Sequence, residues 1–539
     1  MASNLSIKDF YRGKNILVTG GTGFMGKVLL EKLLYSVPDV GNIYVLMRPK
    51  KGKSIQQRYE DMQRSPLFDR LRNEKPSTLK KIIPIQGDVL FDNFGLSDKE
   101  IDNFAEEISI VFHFAATLRL EAPLKDNVNM NTCGTQRALN VAKKFKKLVL
   151  FVHLSTGWLC RTEDAAARLR RVYFKSSSWM VIPPLVGFLS SKIELLTPSL
   201  LGPHPNCYTF SKRLAESVVE SEFSNLPTVI VRPICPSYKE PMPGWVDSLN
   251  GPVGLMLGAG KGVIRTMLCD GTLIAQVVPV DTAINALIAI GMIEGSKTEK
   301  PEVIPIYNVN IGHQKPTSWG DVLVVAKDYA RKYPLAWPLW YPNGDITTNY
   351  LAHEYRRIFY HMVPAYFIDF ILFLLGQRPL IQNRINQGLE VLQYFTMRPW
   401  NFPCPNYDSI HLKLNEEDKI TFNTDLTSAD RDDYMMKCVE GGRIYCLKED
   451  PAKISINKSY HYINAYQVAL SSIKECSKFV IYFLYSLYVL DWIVKIFIWL
   501  LIFSLLAYLF DPVKTIFSYG GSFVKYLPIL GSTVFDEEN

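Results

Sequence analysis

Asn15-Ile16-Leu17-Val18-Thr19-Gly20-Gly21-Thr22-Gly23-Phe24-Met25-Gly26 is the stretch that decides the fold. Ile16 to Val18 is a short apolar run and reads as a buried parallel strand. Gly20, Gly23 and Gly26 follow at a fixed spacing, and Lys27 to Leu34 then carries apolar residues at the helical period. Strand, glycine turn and helix in that order are the setting of a dinucleotide fingerprint. Gly20 permits the tight turn, Gly23 lets backbone approach a pyrophosphate, and Gly26 lets the helix sit close on the strand. The free N–H groups at the helix start then face the phosphates. A glycine turn without a ligand is the plainer alternative, and the flanking strand and helix weigh against it. The candidate cofactor-binding residues here are Thr19, Gly20, Gly21, Thr22, Gly23, Phe24, Met25 and Gly26.

Residues 42–47 read as a second strand, ending about 20 residues after the turn, where an NAD-specific protein places an acid for the ribose hydroxyls. Here the strand runs into Arg48-Pro49-Lys50-Lys51-Gly52-Lys53. A cationic cluster suits a 2′-phosphate, so NADPH is expected, with Arg48 the best candidate because a guanidinium forks onto phosphate, and Lys51 beside it. The alternative is a solvated basic loop. Residues 82–86, 108–112 and 148–154 read as three further strands. The third strand leads to Gly87-Asp88-Val89, the fourth to His113-Phe114-Ala115-Ala116, and the fifth to His153-Leu154-Ser155-Thr156. Carboxyl ends of parallel strands are where such sheets place chemistry. His113 has no metal-type partner nearby in sequence and reads as a structural residue at a strand end.

Tyr208-Thr209-Phe210-Ser211-Lys212 opens a second helix. Four residues apart, Tyr208 and Lys212 share a helix face. A nearby ammonium favours phenolate, so Lys212 is expected to lower the Tyr208 pKa. Tyr208 then donates a proton to a carbonyl oxygen, and Ser155 or Thr156 stabilises the charge developing there. Cys207 raises a rival, thiol attack on a thioester. No adjacent activating base is evident, so a packing cysteine is the plainer reading.

The Gly-x-x-Gly-x-x-Gly turn resembles the extended short-chain dehydrogenase/reductase superfamily. That resemblance implies a doubly wound parallel α/β Rossmann sheet. It also implies that Asp88, with Val89, meets the adenine, that Ala115 keeps the cofactor wall open, that Asn131 supports an active-site water network, and that Lys212 bonds the nicotinamide ribose. With the second anchor placed, the likeness narrows. Phe112 to Arg119, Asn206 to Glu216, Val231-Arg232-Pro233, Glu240 to Asp247, Asn250 to Gly254 and Val278 to Asp281 carry it. So do Gly376 to Pro379, Tyr394 to Thr396, Trp400, Phe422 to Asp425 and Gly441 to Asp450. The chain resembles the eukaryotic alcohol-forming fatty acyl-CoA reductases, with their sterile-type C-terminal domain. The resemblance implies NADPH-dependent reduction of a long-chain acyl-CoA, through an aldehyde, to a primary alcohol. The residues alone reach only NADPH-dependent carbonyl or acyl reduction. Two alternatives are a membrane-bound reductase that stops at aldehyde or acts on a sterol or sugar nucleotide, and a non-catalytic, membrane-tethered NADPH-binding scaffold.

The domains read as 1–325 for the reductase, 326–452 for a mostly helical C-terminal domain, and 453–539 for a membrane-anchoring tail with an apolar stretch at about 479–510. A span from about Val489 to Phe510 reaches the roughly 20 residues that cross a bilayer; a hairpin is the alternative. Asp491 and Lys495, four apart, can pair within it. Lysines 453, 458, 474 and 478 precede the stretch and place its upstream side in the cytosol. Residues 364–375, also apolar, are too short to span and lie on a membrane surface or line an acyl tunnel. Arg168, Arg170, Arg171 and Trp179 fall in an insertion at 157–205 that reads as a surface loop or lid. No secretory signal is read at Met1 to Lys14, so the catalytic part is expected to face the cytosol, most plausibly on the endoplasmic reticulum, with peroxisome or lipid droplet as alternatives. The composition, 48% apolar and 21% charged over 539 residues, is that of a globular chain too long for one core. The net charge of +8 suits anionic partners, but no arginine-rich stripe points to nucleic acid. The nine cysteines form no Cys-x-x-Cys pair, so neither a metal site nor a disulfide framework is expected. Oligomeric state is not legible.

Overall fold

The computed structural model describes residues 5–157 except 121, then 197–232, 239–249, 251–310, 316–336, 338, 342–374, 376, 382–427 and 430–450. In the tail it describes 468, 472, 482, 485, 486, 488–502, 504 and 505. Most of the 157–205 insertion and the lysines flanking the tail lie outside the described residues.

Strands β1 (Asn15–Thr19), β2 (Ile43–Met47), β3 (Ile82–Gln86), β4 (Ile108–His113), β5 (Leu150–Leu154) and β6 (Thr228–Arg232) form the main sheet with β8 (Ile306–Asn308). The order is β3-β2-β1-β4-β5-β6-β8, and every neighbouring pair is parallel. The order reverses direction between β1 and β4, which opens a crevice at their carboxyl ends. Strands β7 (Thr266–Leu268) and β9 (Asp345–Thr347) make a separate parallel pair.

Side-chain alternation sorts the core onto the two faces of the sheet. Ile16 and Val18 of β1 face one way, with Leu29 and Leu33 of the helix after the glycine turn and Ile284 and Leu287 further on. Leu17 faces the other way, with Val111, Phe151, Leu139 and Val219. In chain order the helices used below are α1 (Ile7–Tyr11), α2 (Phe24–Ser36), α3 (Ile55–Gln63), α4 (Gly134–Ala142), α5 (Cys207–Glu222), α6 (Pro252–Gly260), α7 (Val280–Gly295), α8 (Trp319–Lys332), α9 (Val363–Leu374), α10 (Gln382–Thr396) and α11 (Arg431–Gly441). α2 and α7 cover the first face; α4 and α5 cover the second.

By its contacts the chain divides into Met1–Ile463 and Asn464–Asn539. The boundary read at 325 is not a break in packing. Tyr407, Ile410, Leu414, Phe422 and Leu426 sit in the same core as β1 and β2. Polar stitches follow that core: the Ile7 N–H donates to Asp418 at 2.9 Å, and Lys32 Nζ donates to the Thr421 carbonyl at 2.7 Å. α11 returns so closely that a side chain at Gly441 would strike the Gly244 carbonyl.

In the tail, residues 488–502 are helical, and their large apolar side chains are exposed all round, Phe497 and Trp499 at 68% and 69%. Lys495 and Asp491 pair at 2.6 Å, as their spacing leads one to expect. Among the described residues, no helix is long and apolar enough to cross a membrane.

Gly441→Ala should cost about 1–3 kcal/mol in chemical unfolding, the usual cost of overpacking. Gly388→Ala, on α10 with nothing within 4 Å, is the control and should not destabilise. Equal stability of the two variants would remove the close contact of α11.

Candidate active site

The glycine turn ends β1 and points α2 into the crevice. Gly20 has φ of +74°, and a Cβ there would meet the Ala115 nitrogen at 2.7 Å. A Cβ on Gly26 would meet the Gly20 carbonyl at 2.5 Å, so only glycine lets α2 start this close to the strand. Gly23 caps α2 with no side-chain hydrogen bond, leaving the first-turn N–H groups available to a ligand.

A cleft of about 420 Å³ runs from this turn across the carboxyl edge of the sheet. Gly20, Thr22, Gly23, Phe24, Met25 and Gly26 line it, as do Val89 and Ala115. Thr19 and Gly21 support it from beneath. The Thr19 hydroxyl bonds His113 Nδ1 at 2.8 Å, and Gly21 leaves no room for a Cβ beside Val45. His113 also reaches the Thr135 hydroxyl at 3.1 Å, and burial pushes its pKa down to about 3. It is a neutral structural residue, in line with the sequence reading.

At one end the cleft is cationic. Arg48, Lys50 and Arg58 line it, and Lys51 does not; its backbone instead takes a left-handed turn with φ of +53°. Burial, then the charges of Arg48 and Arg58, pull the Lys50 pKa below its usual value. Arg58 reaches in from α3, donating to the Arg48 carbonyl and to the Thr22 hydroxyl at 3.2 Å. Its helix is set by a capping box of Ser54 and Gln57. Arg48 Nη1 pairs with Asp88 Oδ2 at 2.8 Å, so the residues assigned to the 2′-phosphate and to the adenine hold one another. Lys50 and Arg58 were not singled out from sequence. Arg58 lies on an ordinary polar helix, and nothing local marks it.

At the other end stand Ser155, Thr156, Tyr208 and Lys212, all lining the cleft. α5 brings Tyr208 and Lys212 in one turn apart. Its N-cap Asn206 accepts from the Thr209 N–H at 2.9 Å. Asn131 ties the helix to the loop after β4: Nδ2 donates to Ser211 Oγ at 2.9 Å, and Oδ1 accepts from the Thr117 N–H at 2.8 Å. Burial raises the Tyr208 pKa to about 12 and outweighs the opposing effect of the Thr156 hydroxyl. The expected lowering by Lys212 is therefore reversed, because desolvation penalises phenolate more than the neighbours favour it. Tyr208 is held as an acid.

Lys212 Nζ donates to the Leu154 carbonyl at 2.8 Å. Burial lowers its pKa to about 8, and the Glu216 charge opposes the fall. Burial alone would raise the Glu216 carboxyl, but Arg232, forked onto it at 2.8 and 2.7 Å, holds it below its ordinary value. Cys207 packs with Leu124, Val128 and Phe210, and burial raises its thiol. It is a packing residue.

A third wall comes from residues 245–248 and 251–253, which sequence motifs marked without a role. Trp245 stacks on Phe24 at 5.2 Å and Asp247 pairs with Lys27 at 2.7 Å, so Val246, Asp247, Ser248, Pro252 and Val253 face the cleft.

Two family models described as male sterility protein match residues 18–287, the first being its NAD-binding part, and 360–449. Fatty acyl-CoA reductase 1 of Homo sapiens is 36% identical over 461 residues, covering 83% of this chain and 87% of that protein. Fatty acyl-CoA reductase 1 of Xenopus laevis is 36% identical over 454 residues, with the same coverage. The chain belongs to the fatty acyl-CoA reductase family. This reductase is an oxidoreductase with a nicotinamide cofactor. Two solved reductase domains share its fold. One, from a Mycobacterium tuberculosis nonribosomal peptide synthetase, has a TM-score of 0.52 at 15% identity, covering 83% of this chain and 99% of that one. The other, the terminal reductase domain of the myxalamid pathway, has a TM-score of 0.50 at 17% identity, with coverage of 80% and 90%.

The Lys212 ammonium is present below about pH 8 and lost above it. The kcat/KM of the reductase should therefore fall on the alkaline side from about pH 8, while Tyr208 stays protonated throughout. A profile flat well past that point would show that the charge on Lys212 is not needed.

Proposed function

We propose that this reductase converts a long-chain fatty acyl-CoA to the primary alcohol in two successive reductions, consuming two NADPH and releasing coenzyme A. One observation carries the reading: Thr156, Tyr208 and Lys212 converge at one end of a cleft whose other end gathers Arg48, Lys50 and Arg58. The residues fit the cofactor. The glycine cradle leaves backbone where a Cβ would intrude, and three like charges crowded together are relieved by a phosphate. When bound, the nicotinamide supplies hydride to the acyl carbon. Thr156 and Tyr208 present hydroxyls to the carbonyl oxygen, and Tyr208 gives up its proton as charge develops there. Lys212 holds positive charge beside that proton and eases its departure. The carbon–sulfur bond then breaks and coenzyme A leaves as the thiol, and the same hydroxyl pair serves the aldehyde. The catalytic residues standing together on one wall favour an enzyme over a scaffold.

The apolar 489–510 stretch is the proposed membrane anchor, with the cleft on the cytosolic side of the endoplasmic reticulum. The outward-facing apolar side chains of its described residues and the upstream lysines support this. Protease added to intact microsomes should digest the catalytic part; protection until detergent is added would reverse the topology.

The defining experiment incubates purified protein and NADPH with acyl-CoA, identifying products by mass spectrometry. Alcohol is expected, and aldehyde alone would favour the shorter reaction. Tyr208→Phe should slow product formation by roughly 10² or more, the usual contribution of a positioned acid. Cys207→Ala should remain active; a dead variant would bring back the acyl-enzyme route. Arg58→Ala and Arg48→Ala should each weaken NADPH binding by about 1.5–3 kcal/mol and leave NADH little changed. Equal losses for both cofactors would remove these residues from the 2′-phosphate.

A further inference from the structure

Behind the third wall of the cleft lies a second cavity of about 60 Å³, between α6, α8 and β9. Leu255, Met256 and Ala259 line it from α6, Trp319 and Leu323 from α8, and Ile346 from β9. Pro252 lines both this cavity and the cleft. We propose that this apolar groove, running from the cleft along α6, holds the distal part of the substrate's alkyl chain. The proposal rests on the acyl-CoA reading above and names where the chain of that substrate goes.

α6 is placed to act as a rail. Its N-terminal residues Pro252 and Val253 face the cleft. Pro252, Leu255, Met256 and Ala259 recur at three- and four-residue steps, so they form one stripe along the helix. From Pro252 to Ala259 the stripe advances roughly 10 Å along the axis at 1.5 Å per residue. The opposite stripe is already used: Val253 and Leu257 pack with Cys438 and Val439. On the groove side Leu255, Ala259, Trp319, Leu323 and Ile346 remain partly exposed. The ionisable group on the rim, Asp345, is engaged by Lys327 at 3.3 Å. A groove whose lining side chains are apolar takes hydrocarbon and gives a polar headgroup nothing to bond. The cleft has to hold the cofactor between the cations and the catalytic hydroxyls as well as the reacting carbonyl, so a long alkyl chain extends beyond it, and α6 offers an apolar exit.

Ala259 stands farthest from the cleft among the α6 residues lining the groove. A large side chain there should block the groove's distal end without reaching the catalytic residues. The test measures kcat/KM for a saturated acyl-CoA series, from medium to very long chains, with NADPH and the full chain. In Ala259→Phe the long-to-medium ratio should fall about fourfold for each methylene displaced, the equivalent of ~0.8 kcal/mol. Leu323→Ala widens the groove and should move the ratio toward longer chains. Opposite shifts in the two variants support the assignment, including when one variant is less stable. Ratios unchanged in both, or a uniform fall at every chain length, overturn it. Wild-type protein that reduces no acyl-CoA overturns the substrate reading itself and the groove with it, which separates the two failures.

Discussion

The constraint on which the rest depends is the absence of any atom beyond Cα at Gly26. The Gly20 carbonyl stands where its Cβ would be, at 2.5 Å. That contact sets how close α2 comes to β1 and which way its first N–H groups point. A methyl group there forces helix and strand apart, and the error passes to everything laid over α2. Trp245 is laid against Phe24, Asp247 against Lys27, and the third wall is held by both. One backbone contact thus sets the floor of the cleft and the wall held against α2 by Trp245 and Asp247.

Both ends of the cleft store electrostatic cost. At the Arg48–Lys50–Arg58 end burial, with like-charge crowding added to it, lowers the pKa of Lys50. At the Tyr208–Lys212 end desolvation raises the phenol and lowers the ammonium. Both costs fall when a ligand brings compensating charge or an oxygen that accepts the phenol's proton. Glu216 and Arg232 bear on the second end without entering the cleft. Their buried fork fixes a carboxylate one helical turn beyond Lys212, and that charge keeps the ammonium from losing its proton more readily.

The C-terminal region packs onto the core of the reductase sheet. Phe422 and Leu426 share a core with β1 and β2, and Asp418 anchors the chain's first helix through the Ile7 N–H. α11 packs with α6 and α8, and α6 runs from the cleft to the apolar groove. Sequence variation in this region therefore bears on the site through α6, although none of the described residues after Val253 lines the cleft.

By itself the sequence determined what is local. A glycine spacing between strand and helix has one economical fold, so β1, the turn and α2 were legible, and four more strands followed with boundaries close to those found. Tyr208 and Lys212 share a face because any helix places residues four apart together. The pairing of Asp491 with Lys495 follows for the same reason. Only the tertiary structure decided what depends on segments distant in sequence. Lys50 rather than Lys51 lines the cleft, and Arg58 joins it, because the loop after β2 turns and α3 packs back over it. Tyr208 is an acid and not a phenolate because burial, a property of the whole fold, outweighs the nearby ammonium. The core shared across residue 325 has the same origin: it joins Phe422 to β1 through packing between residues some 400 positions apart, and hydrophobic burial carries no record of chain distance.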